Sequence, residues 1–170
     1  LFEDIYVMPA ASDRGLSLGC AYYGAKKNRL KTYPVKNMFL GKSYNEAEIK
    51  SFLNLSGISY KKCNGNKSAA DDLIKGKIIG WFKGRSEFGP RALGGRSILA
   101  LSKIKGIKNK INSKIKFREK FRPFAPVILK TFAEKFGVKK DFPYMTIASF
   151  PNKKFAYELG ESVHEDGSVR

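Results

Sequence analysis

The sequence predicts an α/β fold, with α+β as the alternative arrangement. Short apolar segments typical of strands alternate along the chain with amphipathic segments typical of helices. No internal repeat or low-complexity tract interrupts this alternation. Hydrophobic residues make up 42% of the 170 residues and aromatic residues 13%, which is enough to bury a core. We therefore expect a folded globular protein.

In the first half of the chain, apolar periodicity and end signals predict one strand and three helices. The strand, at residues 4–8, is rich in β-branched and aromatic residues and stops at Pro9. Asn45 followed by Glu48 resembles a capping box, which marks the start of a helix. The three helices are predicted at residues 12–27, 45–57 and 68–75. Residues 29–44 lack a regular period and are assigned to a linker.

In the second half, isoleucines at spacings of three and four predict an amphipathic helix. They are Ile104, Ile107, Ile111 and Ile115. Pro123 forbids continuation of this helix far beyond Phe121. The remaining predicted elements are a buried strand at residues 77–82, strands at 125–130 and 145–150, and a short helix at 131–137.

The charge balance is strongly basic, with 33 Lys and Arg against 15 Asp and Glu and a formal net charge of +18. Such a charge favours polyanionic partners, which include nucleic acid, phosphorylated small molecules and acidic protein surfaces. No apolar run approaches the roughly 18 residues that a membrane span requires. We expect no membrane partner, a cytoplasmic location, and reduced thiols at Cys20 and Cys63.

The segment GRSEFGPRALGGRSIL, residues 84–99, concentrates arginines and glycines. Guanidinium groups present forks of donors that match phosphate and carboxylate oxygens, and glycines let the backbone approach a ligand. Its candidate anion-binding residues are Lys83, Arg85, Glu87, Arg91, Arg96 and Ser97. The backbone N–H groups beside its glycines could form an anion nest. The alternative is a solvated basic loop in which Glu87 forms a salt bridge.

The segment KIKFREKFRPFAP, residues 114–126, is a second candidate. Arg118 and Arg122 are four residues apart and share one face if the isoleucine-bearing helix extends that far. We expect Phe117, Phe121 and Phe124 to anchor the segment in the core. A solvated helix face is the alternative, which suits the scattered lysines better than the two arginines.

His164, the single histidine, lies in VHEDGSVR at residues 163–170. It could act as a general acid or base, a phosphate donor or a metal ligand, although a lone histidine more often has none of these roles. Asp13 opens a predicted helix, where capping is the simpler explanation and contact with metal or phosphate is the alternative.

Taken in order, these segments resemble the carbamoyltransferase family of nodulation proteins and antibiotic O-carbamoyltransferases. Residues 84–99 are similar to the family signature GRxEFGPRALGNRSIL, and residues 114–126 to KxREpFRPFAP. The segments PYMTIASFP (143–151) and VHEDGSVR follow in the family's order. PAASDRGLSLGCAYYGA, residues 9–25, is similar to the closing PaxGDxGxAxGAA pattern of the family's N-terminal domain.

The resemblance implies a domain organisation. Residues 1–28 would be the end of an N-terminal domain of the actin-like ATPase and sugar-kinase fold. Residues 29–44 would be a linker, and residues 45–170 a YrdC-like domain with a twisted mixed sheet and flanking helices. Because the chain starts without Met and stops inside the VHEDGSVR motif, we expect a fragment of a longer protein that cannot complete transfer to an acceptor.

The resemblance also implies a reaction and its partners. Carbamoyl phosphate and ATP would form carbamoyl adenylate with release of phosphate and pyrophosphate. The carbamoyl group would then pass to an acceptor hydroxyl in the N-terminal domain, which holds a divalent metal, Fe or Mg. Anionic small molecules, that domain and an unknown hydroxylated acceptor are thus the expected partners, and nucleic acid is not.

Residue roles follow from the resemblance. Arg85, Arg91 and Arg96 would clamp the phosphates with Lys83, while Ser97 donates a hydroxyl and Glu87 orients an arginine. Arg118 and Arg122 would form an opposing wall. His164 would close the site near the carbamoyl group with Asp166 and Ser168. The catalytic set is Arg85, Arg91, Arg96 and His164, and the metal candidate is Asp13.

Gly95 departs from the family signature, which has asparagine there. The absence of that asparagine removes a side-chain amide that could hold a ligand or cap a turn. Two other functions stay open. One is a nucleic-acid-binding YrdC-like domain without carbamoyl chemistry, and the other is a domain that kept the fold and lost activity.

Overall fold

The computed structural model describes residues 6–137 and 143–170. It contains five α-helices and one two-stranded antiparallel sheet, which confirms the α/β class. The helices are α1 (Asp13–Lys27), α2 (Glu46–Leu55), α3 (Gly65–Ile74), α4 (Ile107–Lys114) and α5 (Lys153–Ala156). The strands are β1 (Ile79–Phe82) and β2 (Arg96–Leu99), and three 3₁₀ segments cover Lys130–Phe132, Glu134–Phe136 and Tyr157–Ser162.

The helix starts follow local side-chain chemistry. At α2 the predicted capping box is present, because Asn45 accepts the Glu48 N–H and the Glu48 carboxylate accepts the Asn45 N–H. At α3 the Asn64 side chain accepts the Lys67 N–H, so this helix begins three residues before the predicted position. Ser12, and not Asp13, caps α1.

The arginine-rich segment connects the two strands. β1 confirms a strand within the predicted residues 77–82, although it begins at Ile79 and alternates partly buried and exposed residues, so the expectation that it is buried was wrong. Beyond the strand ends, the Lys83 N–H donates to the Gly95 carbonyl over 2.9 Å. Residues 83–95 therefore leave the sheet and return to it as a closed connection, and this connection with the first two residues of β2, residues 83–97, is called the arginine loop below.

Three predicted strands need correction. Residues 125–130 form no strand, since Pro126 has no N–H to donate and Val127 is 87% exposed. Residues 145–150 contain only one isolated bridge, from Ser149 to Val169. Of the strand predicted at residues 4–8, residues 4 and 5 lie outside the described residues and residues 6–8 are irregular. The predicted helix at 131–137 is replaced by the first two 3₁₀ segments.

The isoleucine-bearing helix, α4, is shorter than predicted and ends at Lys114. Past its end the Lys116 N–H donates to the Ile111 carbonyl, and the chain reverses through Phe117 at φ 47°. Arg118 and Arg122 consequently lie outside the helix. Phe117 is 82% exposed and Phe121 68% exposed, so the expectation that both anchor the segment in the core was wrong.

The chain divides into two compact units, each described by itself. One unit comprises residues 1–62 and 81–97, and the other comprises 63–80 and 98–170. The second unit contains a small core of Phe136, Leu159 and Val169, packed with Ile128, Phe155 and Val163. Within the described residues, no helix has the length and apolar character needed to cross a membrane.

Candidate functional site

Glu87 lies at the centre of the arginine loop. One carboxylate oxygen, Oε1, accepts the backbone N–H groups of Leu93 and Gly95 over 2.7 Å and that of Arg96 over 3.2 Å. The glycine-rich backbone thus forms the predicted nest of N–H donors, but the protein's own carboxylate occupies it. Any bound phosphate would have to be held mainly by side chains here.

These contacts alter the acidity of Glu87. Partial burial by itself would raise the pKa of the carboxyl, but the N–H groups of Leu93, Arg96 and Gly95 outweigh it and lower the pKa below its ordinary value. The group is therefore ionised at neutral pH. An ionised carboxylate committed to backbone donors is suited to holding the loop and poorly suited to general-base catalysis.

Arg85 and Arg96 bind backbone carbonyls. The Nε and Nη2 groups of Arg85 donate to the carbonyls of Gly41 and Leu40 over 2.8 and 3.1 Å. Arg96 donates to the carbonyls of the arginine loop itself and lies 3.4 Å from the centroid of the Phe82 ring. Both guanidinium groups therefore stabilise the path of the loop.

Arg91 differs from these two arginines. It is exposed, and no hydrogen bond, ion pair or ring contact to its side chain is found within residues 6–137 and 143–170. The ammonium of Lys83 is also exposed, 6.0 Å from the Trp81 ring. The Ser97 hydroxyl accepts the Gly94 N–H, so it too supports the loop. Arg91 and Lys83 are therefore exposed cations of this loop whose side chains bind no backbone carbonyl among the described residues.

Gly95 is buried where the loop packs against itself. A Cβ atom at this position would lie 2.6 Å from the Arg85 carbonyl oxygen and 3.1 Å from the Glu87 carboxylate. The first distance is shorter than a van der Waals contact and involves a backbone atom. Glycine at this position therefore permits the close approach between the two ends of the arginine loop.

In the second unit, Asn112 of α4 holds Arg118. Asn112 is fully buried, and its Oδ1 accepts the Arg118 Nε–H over 2.7 Å. Arg118 also donates to the Pro123 carbonyl and lies 4.7 Å from the Phe124 ring centroid. Burial lowers the pKa of the Arg118 guanidinium, and the charge of Arg122 lowers it further.

Arg122 pairs with Glu119 through an Nε to Oε2 contact of 2.8 Å. Both side chains are about half exposed, so the pair contributes little to stability and is readily exchanged for another anion. Arg122 and Arg118 come from the same irregular turn rather than from one helix face.

His164, Asp166 and Ser168 form a compact turn. The Ser168 hydroxyl lies 3.2 Å from His164 Nδ1, and the Asp166 carboxylate accepts the Ser168 N–H over 2.9 Å. Burial lowers the pKa of His164, with Arg170 and Lys108 adding to the effect against the attraction of Asp166. The imidazole is therefore neutral at neutral pH.

The comparison with known families decides the affiliation. The profile described as "Carbamoyltransferase C-terminus" matches residues 70–170, a range that contains both arginine-bearing segments. The chain belongs to the carbamoyltransferase family. This membership confirms the resemblance drawn from the sequence motifs.

Relatives support the same affiliation over the whole chain. Nodulation protein NolNO of Sinorhizobium fredii is 36% identical over all of this chain and 26% of its own length. Nodulation protein NolO of Bradyrhizobium diazoefficiens is 36% identical, with 33% of its length covered. Nodulation protein U of Sinorhizobium fredii is 33% identical, with 29% covered. The chain thus spans a third or less of the length of these relatives.

Two residues with structural roles were not singled out from the sequence. Asn112 follows Ile111 in a helical pattern, and a poor helix former beside a core position was its one visible signal. The Glu161 carboxylate accepts the N–H groups of Gly106 and Lys108 and so caps α4, which has no acidic residue in its first turn. No local pattern indicates that contact across more than 50 residues.

Asp13 lies in the first turn of α1. Among residues 6–137 and 143–170, no three or more histidine, cysteine, aspartate or glutamate side chains are grouped closely enough to hold a metal ion. The assignment of Asp13 as a metal ligand stays a prediction.

We predict that Glu87→Gln lowers the free energy of unfolding by about 1 kcal/mol at neutral pH, because a neutral acceptor bonds the three N–H groups more weakly. A carboxyl whose pKa is lowered by folding stabilises the protein above its ordinary pKa of 4.5, and this contribution is lost as pH falls through the folded-state value. The difference between wild type and variant should therefore shrink below about pH 4.5.

Denaturant unfolding between pH 3 and 7 measures that difference, with the exposed Glu134→Gln as the control. A pH-independent difference for Glu87→Gln would contradict the assigned role of the carboxylate.

Proposed function

We propose that this chain supplies the part of an O-carbamoyltransferase that binds carbamoyl phosphate and ATP and forms carbamoyl adenylate. The observation that carries the proposal is the family match over residues 70–170, which includes both arginine-bearing segments. The overall step consumes carbamoyl phosphate, ATP and water, and it releases phosphate and pyrophosphate. The carbamoyl group of the adenylate then passes to an acceptor hydroxyl.

Electrostatics supports this proposal. The two substrates bring several negative charges, and more charge develops on the phosphates as their bonds break. Fixed cations stabilise such charge when they are oriented before the reaction. The chain carries a formal charge of +18, and its two arginine segments hold guanidinium groups on short, hydrogen-bonded turns.

The geometry divides the arginine loop into two groups. Arg91 and Lys83, which are exposed, are proposed to contact phosphate oxygens directly. Arg85 and Arg96, whose donors bind backbone carbonyls, are proposed to hold the loop with Glu87. Within the arginine loop, this assignment leaves Arg91 and Lys83 as the candidate phosphate ligands.

Within the second unit, taken by itself, Arg118 and Arg122 are proposed as phosphate contacts. Arg122 would exchange its exposed Glu119 partner for substrate. A neutral His164 suits hydrogen bonding to the uncharged carbamoyl group better than it suits binding phosphate as a cation. Asp166 and Ser168 orient its ring through the turn that they share.

The acceptor and a divalent metal, Fe or Mg, belong to the N-terminal domain in this proposal. The chain covers 26% of the length of NolNO and 33% of the length of NolO. A complete protein of similar length would have room for such a domain. The hydroxylated acceptor would be selected there and not by the residues described above.

Calorimetric titration of the protein with ATP and with carbamoyl phosphate tests the proposal at about 0.15 M salt, where long-range attraction is screened. We expect saturable binding of both ligands at one site each. A single-stranded RNA is the control ligand. Salt-dependent RNA binding that neither small ligand displaces would favour a nucleic-acid-binding domain, and no binding of any of the three would favour an inactive domain.

A further inference from the structure

We propose that Asn112 is a positioning residue that fixes the Arg118 guanidinium in the orientation needed to bind the anionic substrate. The inference rests on the proposed function, because it takes Arg118 as a substrate contact. It adds a residue that neither the family motifs nor the charge pattern singled out.

The side-chain hydrogen bonds of Asn112 join it to the turn at residues 118–123. Its Oδ1 accepts the Arg118 Nε–H over 2.7 Å, and its backbone carbonyl accepts the Arg118 N–H over 3.0 Å. Its Nδ2 donates to the carbonyls of Lys120 and Arg122 over 3.2 and 2.9 Å. One buried side chain therefore uses its acceptor on the arginine and its donors on the backbone that follows it.

The donors matter for Arg118 as well as the acceptor. The carbonyls that accept from Nδ2 belong to Lys120 and Arg122. The next two residues, Pro123 and Phe124, are the other two partners of the Arg118 guanidinium. Asn112 therefore fixes the arginine from one side and positions its carbonyl and ring partners on the other. A side chain 0% exposed on a helix is well placed for this role, since helix backbone and core packing restrict its rotamer.

The orientation of Arg118 matters because a guanidinium binds oxyanions through two parallel hydrogen bonds, which require the guanidinium plane to be defined. Three donors remain on Arg118 once Nε and one N–H of Nη2 are engaged. With Nε held, the outward edge of the guanidinium presents those donors in a fixed direction. Without Asn112, the long side chain would sample many rotamers before binding.

A double-mutant cycle in the full-length protein tests the inference. The variants are Asn112→Ala, Arg118→Ala and the combination, and the readout is the dissociation constant of carbamoyl phosphate by calorimetry. We expect each single variant to weaken binding roughly tenfold and the double variant to bind no more weakly than Arg118→Ala. Circular dichroism and thermal unfolding establish that each titrated sample is folded.

Asn109→Ala is the matched control, since Asn109 is an exposed asparagine on the same helix, and it should leave the dissociation constant unchanged. If Asn112→Ala does not fold, Asn112→Leu replaces it, because leucine has a similar branched shape and lacks both the acceptor that binds Arg118 and the two donors. The same coupling to Arg118 is expected for that variant.

The outcomes separate the inference from the proposed function. If Arg118→Ala weakens binding and the folded Asn112 variants do not, the positioning role is wrong and the proposed function stands. Additive losses in the double variant would show that Asn112 acts independently of Arg118, which also overturns the inference. If Arg118→Ala leaves binding unchanged, Arg118 is not a substrate contact, and both the inference and that part of the proposed function fail.

Discussion

Replacing Arg91 by alanine in the full-length protein should abolish most of its carbamoyl-phosphate-dependent exchange between ATP and pyrophosphate. The guanidinium of Arg91 is exposed and has no side-chain partner among the described residues, so its removal disturbs no contact seen within the fold. Loss of a charge-assisted contact to a phosphate should lower the exchange rate about 100-fold or more. Incorporation of labelled pyrophosphate into ATP measures it.

Two further variants make this prediction specific. Arg91→Lys keeps the charge and loses the paired donors, so its exchange rate should fall between wild type and Arg91→Ala. Lys50→Ala removes an exposed cation from α2 and should leave exchange at the wild-type rate. Wild-type exchange in Arg91→Ala would show that Arg91 does not contact the substrates.

Replacing Gly95 by alanine should lower the free energy of unfolding by about 1–3 kcal/mol. The added Cβ would lie 2.6 Å from the Arg85 carbonyl oxygen, a backbone atom that cannot rotate away. Relief requires the loop to open, which separates the Glu87 carboxylate from the N–H groups that it binds. Denaturant unfolding of wild type and variant measures the loss.

Gly80→Ala is the matched control, because a Cβ at Gly80 meets no atom within 4 Å. Asparagine at position 95, the residue of the family signature, brings the same Cβ and should also destabilise this protein. A Gly95→Ala variant as stable as wild type would show that the arginine loop adjusts freely. In that case Gly95 would not be required for the packing seen here.

Local sequence signals were sufficient where the governing contact is also local. The capping box of Asn45 and Glu48 depends on residues within one short segment. The arginine loop was recognisable for the same reason, since its glycines and arginines are contiguous. Two long motifs in the correct order were enough to indicate the family, which the comparison confirmed.

Two segments departed from the conformation that their sequence patterns predicted. The segment at 125–130 has strand-like residues, yet no described strand pairs with it, and an unpaired strand leaves its backbone donors unsatisfied. The isoleucine spacing predicted a longer α4. The helix ends at Lys114 because the following N–H groups turn back to Ile111 and Asn112.

The sequence by itself determined the fold class, the family and the residues that carry positive charge to a candidate anion site. Only the tertiary structure decided which of those cations bind the chain's own backbone. Arg85 and Arg96 bind backbone carbonyls, whereas the exposed Arg91 side chain has no partner within residues 6–137 and 143–170. The physical reason is that the partners of a guanidinium are set by how the chain folds back on itself. Composition and spacing specify the donors but not the acceptors.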